Sequence, residues 1–334
     1  MKSQNYPWID RVKYLVSFLV LIIHFRPLSD YNPIVDFSSA QIIARIAVPF
    51  FFISAGYFIG VNGLEKNVVI KSIKKNFKLY VVWTIIYLPI SIIIFMPQYP
   101  NILLNLTVLG VYFHLWFIPA LIFSLITLYY LSKLLKPFTI TLIAFLFFVL
   151  GVFGDSYHGV LQSGWFLDGI NQYLEIFTTT RNGLFFGLLF VSLGYYIQKS
   201  DITSKINITS AWIGFIISYL LMFVEMGLLM TYTIPFEYNM YFSIIPTTFF
   251  LFTICLKYPS NDKSIDIRNK ATIIYFSHFI VYFIVYGIIT LLKLDFLLYS
   301  SLSRYFIAVI SSVLFANFVI KQKKRNKKWA SYLV

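Results

Sequence analysis

The sequence predicts an all-α, polytopic integral membrane protein with about ten transmembrane helices and both termini cytoplasmic. Three observations carry this. The 334 residues are 59% hydrophobic and only 12% charged, and the mean hydropathy of +0.78 exceeds what one soluble core requires. The apolar residues fall into stretches close to the length that crosses a bilayer as a helix. The basic residues are segregated: with both ends inside, all but five of the 27 Lys and Arg fall on inner segments, as cytoplasmic loops demand. The five are Arg45, inside a span, and Arg26, Arg181, Lys293 and Arg304 near the outer side. One missed or invented helix would scramble the pattern, so the number of spans is even.

The first stretch, residues 8–25, reads WIDRVKYLVSFLVLIIHF. Asp10, Arg11 and Lys13 stand directly before its apolar run and no small-residue cleavage site follows, so it is expected to stay as an anchor rather than leave as a signal peptide. The second, residues 40–61, carries Arg45 and Pro49 within apolar sequence. Further spans are expected at residues 79–96, 115–132, 138–154, 182–198, 210–230, 240–257, 271–292 and 302–320. The inner loop EKNVVIKSIKKNFK follows the second span, and the longest outer loop runs from about Asp155 to Arg181. No segment is long enough for a separate soluble domain, so residues 1–334 read as one transmembrane domain with a basic cytoplasmic tail, 321–334.

Composition also excludes. Cys255 is the only cysteine, so no intramolecular disulfide is expected, and no Cys/His cluster has metal-ligand spacing. The net charge of +14 and the closing run KQKKRNKK read as an orientation signal drawn to anionic inner-leaflet lipid. They do not read as a nucleic-acid module. No internal repeat marks an inverted-repeat transporter.

The polar residues in the spans are the functional candidates, because a lysine or arginine at a helix centre costs roughly 2.5–3.5 kcal/mol to insert. Ten residues separate Lys13 from His24, which sets them about 16 Å apart along a helix. Lys13 belongs at the inner end, where alone it would be an ordinary snorkelling anchor. His24 belongs toward the outer end, either as a satisfied interface residue or as a neutral imidazole able to take a hydroxyl proton. Arg45 is placed one to two turns below the outer surface, poised to steady an oxyanion or a substrate anion. Glu225, in the outer half of the seventh span, offers it a counter-charge. His114 opens the fourth span from outside and Arg181 the sixth. His278 is placed about two turns into the ninth span from inside, which favours an interhelical hydrogen bond over catalysis. His158, in the outer loop, has no nameable partner.

Order and spacing over nearly the whole chain resemble the integral-membrane acyltransferase family 3. Lys13 and His24 match the family's opening arginine (sometimes lysine), ten residues, histidine. Arg45, Pro49, Phe50, Phe51, Ser54 and Gly56 match an arginine followed by a small-and-aromatic block ending in Ser-x-Gly. His114-Leu-Trp-Phe117, Arg181-Asn-Gly183 leading into Gly194, and Tyr275-x-x-His278 match later blocks. Where the family has Arg-x-x-Arg, this chain has Lys71-x-x-Lys74, which keeps phosphate attraction without the bidentate fork of arginine.

The resemblance implies an O-acyltransferase. An acyl-CoA, acetyl-CoA first among them, would dock its phosphates on Lys13, Lys71 and Lys74. His24 would act as general base or transient acyl carrier, Arg45 would stabilise the oxyanion, and His114 would join the site. Ser54, Arg181, Glu225 and His278 are secondary candidates. The acceptor would be an extracytoplasmic glycan, wall polymer or lipid-linked sugar. Some relatives carry a fused extracytoplasmic esterase-like domain; none is expected here, so acylation is direct or passes through a separate extracytoplasmic protein. The blocks ARIAVPFFFISAGYF and TRNGLFFG also resemble the membrane half of membrane-bound serine racemases of the vancomycin-resistance type. That likeness implies serine uptake, with Arg45 holding a carboxylate and no acyl chemistry. A scaffold without chemistry is the third alternative.

Overall fold

A computed structural model describes residues 6–99, 101–232, 235–259 and 264–334. Lys2 and Lys263, counted above among the inner cations, lie outside the described residues. Among the described residues there is no strand. The main helices are α1 (Pro7–Phe25), α2 (Pro33–Val61), α3 (Lys66–Ile94), α4 (Phe117–Leu131), α5 (Pro137–Val152), α6 (Trp165–Phe177), α7 (Leu188–Lys199), α8 (Ile208–Tyr232), α9 (Ile244–Leu256), α10 (Ile265–Leu291) and α11 (Ser301–Lys324). Five of them, α2, α3, α8, α10 and α11, are long and apolar enough to cross a bilayer, and α4, α5 and α9 are shorter apolar helices. Large apolar side chains point outward along these helices, such as Ile93, Ile216 and Leu314, each more than half exposed. A water-soluble surface does not tolerate such stripes; a lipid-facing one requires them.

Each of the ten expected spans falls on helix, but the helix bounds differ from those expected. The third begins at Lys66 rather than 79, so the lysines assigned to an inner loop lie on the opening turns of α3. Lys71, Lys74, Lys75 and Lys78 then stand at i, i+3, i+4 and i+7, one exposed helical stripe. The second begins at Pro33, with Asn32 accepting from the amides of Ile34 and Val35 (2.9 and 3.1 Å) as its N-cap. The outer loop contains α6, whose buried Leu174 and half-buried Phe166, Ile170 and Tyr173 recur at helical spacing.

The helices form two compact units, Met1–Val48 with Cys255–Val334, and Pro49–Ile254, the division falling within α2. In the first unit α1 and α10 run parallel and in register. Ser264 Oγ donates to Asp10 Oδ2 at 2.6 Å, a separation of 254 positions, and His24 meets His278 at the same offset. α11 packs on α10 in the opposite sense, with Lys324 Nζ 2.5 Å from Asp266 at one end. At the other end the Ser301 amide donates to Asp30 (2.5 Å) and Ser301 Oγ to the Pro27 carbonyl (2.8 Å). Arg26 closes α1 in the left-handed region and donates from Nε to the buried Asp36 of α2 at 2.7 Å.

The second unit is packed by aromatic rings, with Phe50, Phe52, Phe148, Phe190 and Phe252 all fully buried. Lipid chains are as apolar as phenylalanine, so burial alone does not drive helices together in a membrane; close packing does. α2 and α7 approach closely. A Cβ on Gly56 would lie 1.9 Å from the Val191 carbonyl oxygen, and one on Gly194 would lie 2.0 Å from that of Ile53. The two glycines let the backbones touch.

Candidate active site

The first unit holds Lys13, His24, Arg45 and His278. His24 and His278 are stacked, with ring centroids 5.4 Å apart and planes 22° from parallel. His278 is fully buried, and its Nδ1 donates to the Tyr275 carbonyl at 2.7 Å. That bond fixes the tautomer and makes Nε2 the basic nitrogen. Phe279 and Phe25 flank the pair, with Phe279 5.0 Å from His24 and Phe25 6.2 Å from His278. The depth assigned to His278 is therefore corrected. α10 begins at Ile265, six residues before the expected span, which puts His278 thirteen residues into the helix and level with His24.

Arg45 stands twelve residues, roughly 18 Å of helical rise, from the start of α2 at Pro33. The backbone there is irregular, a wide π-type turn over Ser38–Ile42 running into a tightened 3₁₀ turn over Ile43–Ile46. Such departures from α geometry concentrate at functional positions. The tightened turn packs on α1, and Arg45 donates to Gln41 one turn back. Lys13 is half-buried on α1.

The second unit holds Ser54, Lys71, Lys74, His114, Arg181 and Glu225. Ser54 is buried and donates to the Phe50 carbonyl at 2.7 Å, back-bonding its own helix beside the Gly56 crossing. His114 sits in the loop before α4, which turns at Gly110 (φ +76°), where a Cβ would lie 2.3 Å from the Trp116 amide. Its ring is buried edge-on to Tyr87 at 5.0 Å. On the same loop Trp116 lies under the Arg181 guanidinium, 4.9 Å from its centroid, an attraction worth ~0.5–2 kcal/mol depending on desolvation. Arg181 also donates to Asn239 Oδ1 at 3.1 Å. Asn182 accepts from Leu184 and Phe185 to cap the turn leading into α7. The histidine and arginine blocks, far apart in sequence, thus meet through Trp116.

Glu225 is saturated with donors. The amides of Phe242 (2.6 Å) and Ser243 (2.8 Å), the Ser243 hydroxyl and the Tyr157 hydroxyl (2.7 Å) all reach its two oxygens. Burial and the adjacent carboxylate hold the Tyr157 phenol above its ordinary range. The glutamate thus pins the segment before α9 to α8.

A family model described as an acyltransferase domain matches residues 6–320. The chain belongs to this acyltransferase family. Among curated proteins, an amino-acid racemase of Enterococcus faecalis is 30% identical over 77% of the chain and 37% of its own length. A serine/alanine racemase of Enterococcus gallinarum is 29% identical over 75% and 37%. A second Enterococcus faecalis amino-acid racemase is 28% identical over 95% and 46%. The chain spans less than half the length of these relatives. No solved structure matches it significantly.

The acyltransferase domain contains groups that sequence reasoning missed. Asp155, fully buried, accepts from the Asn239 amide (2.7 Å), the Met240 amide (3.0 Å), Asn239 Nδ2 (2.8 Å) and Ser156 Oγ (2.8 Å). Three of its four hydrogen bonds come from residues 84 and 85 positions away, so no local pattern marks it. His158 pairs with Asn171 of α6 at 2.9 Å; the helical spacing of α6 was the available signal. Among the described residues no cluster of metal-ligating side chains occurs.

Proposed function

We propose that this protein is a membrane-bound O-acyltransferase that moves an acyl group, acetyl foremost, from acyl-CoA to a hydroxyl of an extracytoplasmic glycan, wall polymer or lipid-linked sugar. The observation that carries the reading is the stacked His24–His278 pair in the unit that also holds Arg45, within a chain of the acyltransferase family. His24 takes the acceptor's proton as its oxygen attacks the thioester carbonyl. Arg45 stabilises the tetrahedral oxyanion. Collapse breaks the C–S bond, the imidazolium returns the proton to the departing thiolate, and ester and free coenzyme A leave. His278 holds the His24 ring through the stack. His114 is a further catalytic candidate, and Lys13, Lys71 and Lys74 attract the donor's phosphates. The acyl group goes directly to the acceptor or through a separate extracytoplasmic partner.

Radiolabelled acetyl-CoA supplied to membranes containing the protein should label a surface polymer, and His24→Ala should abolish the labelling while the protein stays folded. Undiminished labelling in His24→Ala would refute the assignment. A second reading, in which the chain serves amino-acid uptake and Arg45 binds a carboxylate, agrees with the relatives only in that their names are those of amino-acid racemases. Labelled serine accumulating in cells, lost in Arg45→Ala, with no polymer labelling, would establish that alternative.

A further inference from the structure

Between the first turns of α10 and the last turns of α11 lies an open cleft of about 410 Å³, lined by Asp266, Lys270, Asn317, Lys321, Lys324 and Arg325 over an apolar floor at Ile320. Four basic side chains stand there against one carboxylate, and Lys324 already pairs with that carboxylate at 2.5 Å. Among the described residues no carboxylate pairs with Lys270, Lys321 or Arg325. Cations at the end of α11 would by themselves only complement its terminal carbonyls and mark orientation. Lys270 comes from the neighbouring helix, however, and closes the charge around a concavity.

We propose that this cleft is a phosphate-binding site. Lys270, Lys321 and Arg325 supply the charge, Asn317 a neutral hydrogen-bonding group, and the Asp266–Lys324 pair a fixed wall. Two sources carry that chemistry: the phosphates of a soluble nucleotide-type acyl carrier and the headgroup of an anionic phospholipid. The site goes beyond the acyl-transfer reading, which placed the donor's phosphates on Lys13, Lys71 and Lys74, and its test uses no acyl chemistry.

The full chain is placed in phosphatidylcholine nanodiscs and titrated with adenosine 3′,5′-bisphosphate; in parallel, mixed discs are analysed by native mass spectrometry for retained phosphatidylglycerol. The variant Lys270→Gln/Lys321→Gln/Arg325→Gln should weaken at least one probe about tenfold, whereas Lys327→Gln/Lys328→Gln, which neutralises tail lysines outside the cleft, should change both by less than about twofold. A loss confined to the bisphosphate identifies the soluble source, and one confined to the lipid identifies the headgroup. Asp266→Asn should tighten the affected probe by releasing Lys324, a gain that misfolding cannot produce. Equal losses in the cleft and tail variants, binding of neither probe, or no gain with Asp266→Asn would overturn the proposal.

Discussion

In the unit built from α1, α10 and α11, two imidazoles face one another 5.4 Å apart, whereas in the Pro49–Ile254 unit the carboxylates of Asp155 and Glu225 accept from backbone amides and hydroxyls on other segments. Both arrangements place polar groups among apolar helices, where an unsatisfied one costs several kcal/mol. They answer that cost differently. A carboxylate holding four donors has committed its acceptor capacity to joining segments, and its role is architectural. An imidazole whose Nδ1–H is bound to a carbonyl, as in His278, has its tautomer and ring plane fixed, and it presents that plane to the neighbouring ring of His24. Burial of a polar residue is therefore a weak guide to function; how its hydrogen-bonding capacity is used is a better one.

The contrast can be broken most severely at the α2–α7 crossing. Gly56→Leu or Gly194→Leu drives a side chain into a backbone carbonyl about 2 Å away and should cost ~3 kcal/mol or more, past the usual range for overpacking. Fluorescence-detected size exclusion after heating should show both variants lost well below the native melting temperature; unchanged melting would mean that the crossing is not tight. In the other unit, His24→Ala should lower acyl transfer by roughly 10²–10⁴, the usual contribution of a general base, with the melting temperature little altered. His278→Phe preserves a ring for the stack but removes the Nδ1 anchor, and should cost about tenfold, mainly in kcat, since orientation rather than binding is disturbed.

Asp155→Ala tests the architectural half. It strands two amides and two side-chain donors and should destabilise by about 2–4 kcal/mol, seen in a thermal melt of the detergent-solubilised chain. A normal melt combined with selective loss of activity would move Asp155 into the chemistry. The smallest effect concerns the loop joining α1 to α2. The Ser301 amide holds the Asp30 carboxyl below its ordinary value of 3.8, the Ser301 hydroxyl and Arg304 adding to the effect against partial desolvation. A depressed folded-state value means that the interaction is complete above that ordinary value and is lost as pH falls through the lowered one. Melting temperature should therefore drop as acid is added below about pH 4, and Asp30→Asn should flatten that part of the profile.

Much of this was legible in the chain. The helical class followed from apolar stretches of bilayer length, and the blocks around His24, Arg45, Ser54, His114 and Arg181 pointed to the family. Helix beginnings were harder where they are polar. Lys66–Lys78 read as a loop because the charges masked a continuous helix, although their i, i+3, i+4, i+7 spacing was present. The same kind of error at residues 265–271 set His278 at the wrong depth and separated it from its partner. The parts of the Asp155 network could not be assembled from sequence, because Asn239 and Met240, which supply three of its four hydrogen bonds, lie more than eighty positions away.

By itself the sequence determined that the chain must live among lipid, which stretches form helices, and which rare polar residues interrupt them, because hydropathy and charge are local properties that transfer energies act on directly. Only the tertiary structure decided which of those residues meet. The parallel register of α1 and α10 brings two imidazoles together, and glycine contacts set how closely α2 and α7 approach. Such pairings depend on helix rotation and offset, and those are fixed by packing between segments distant along the chain.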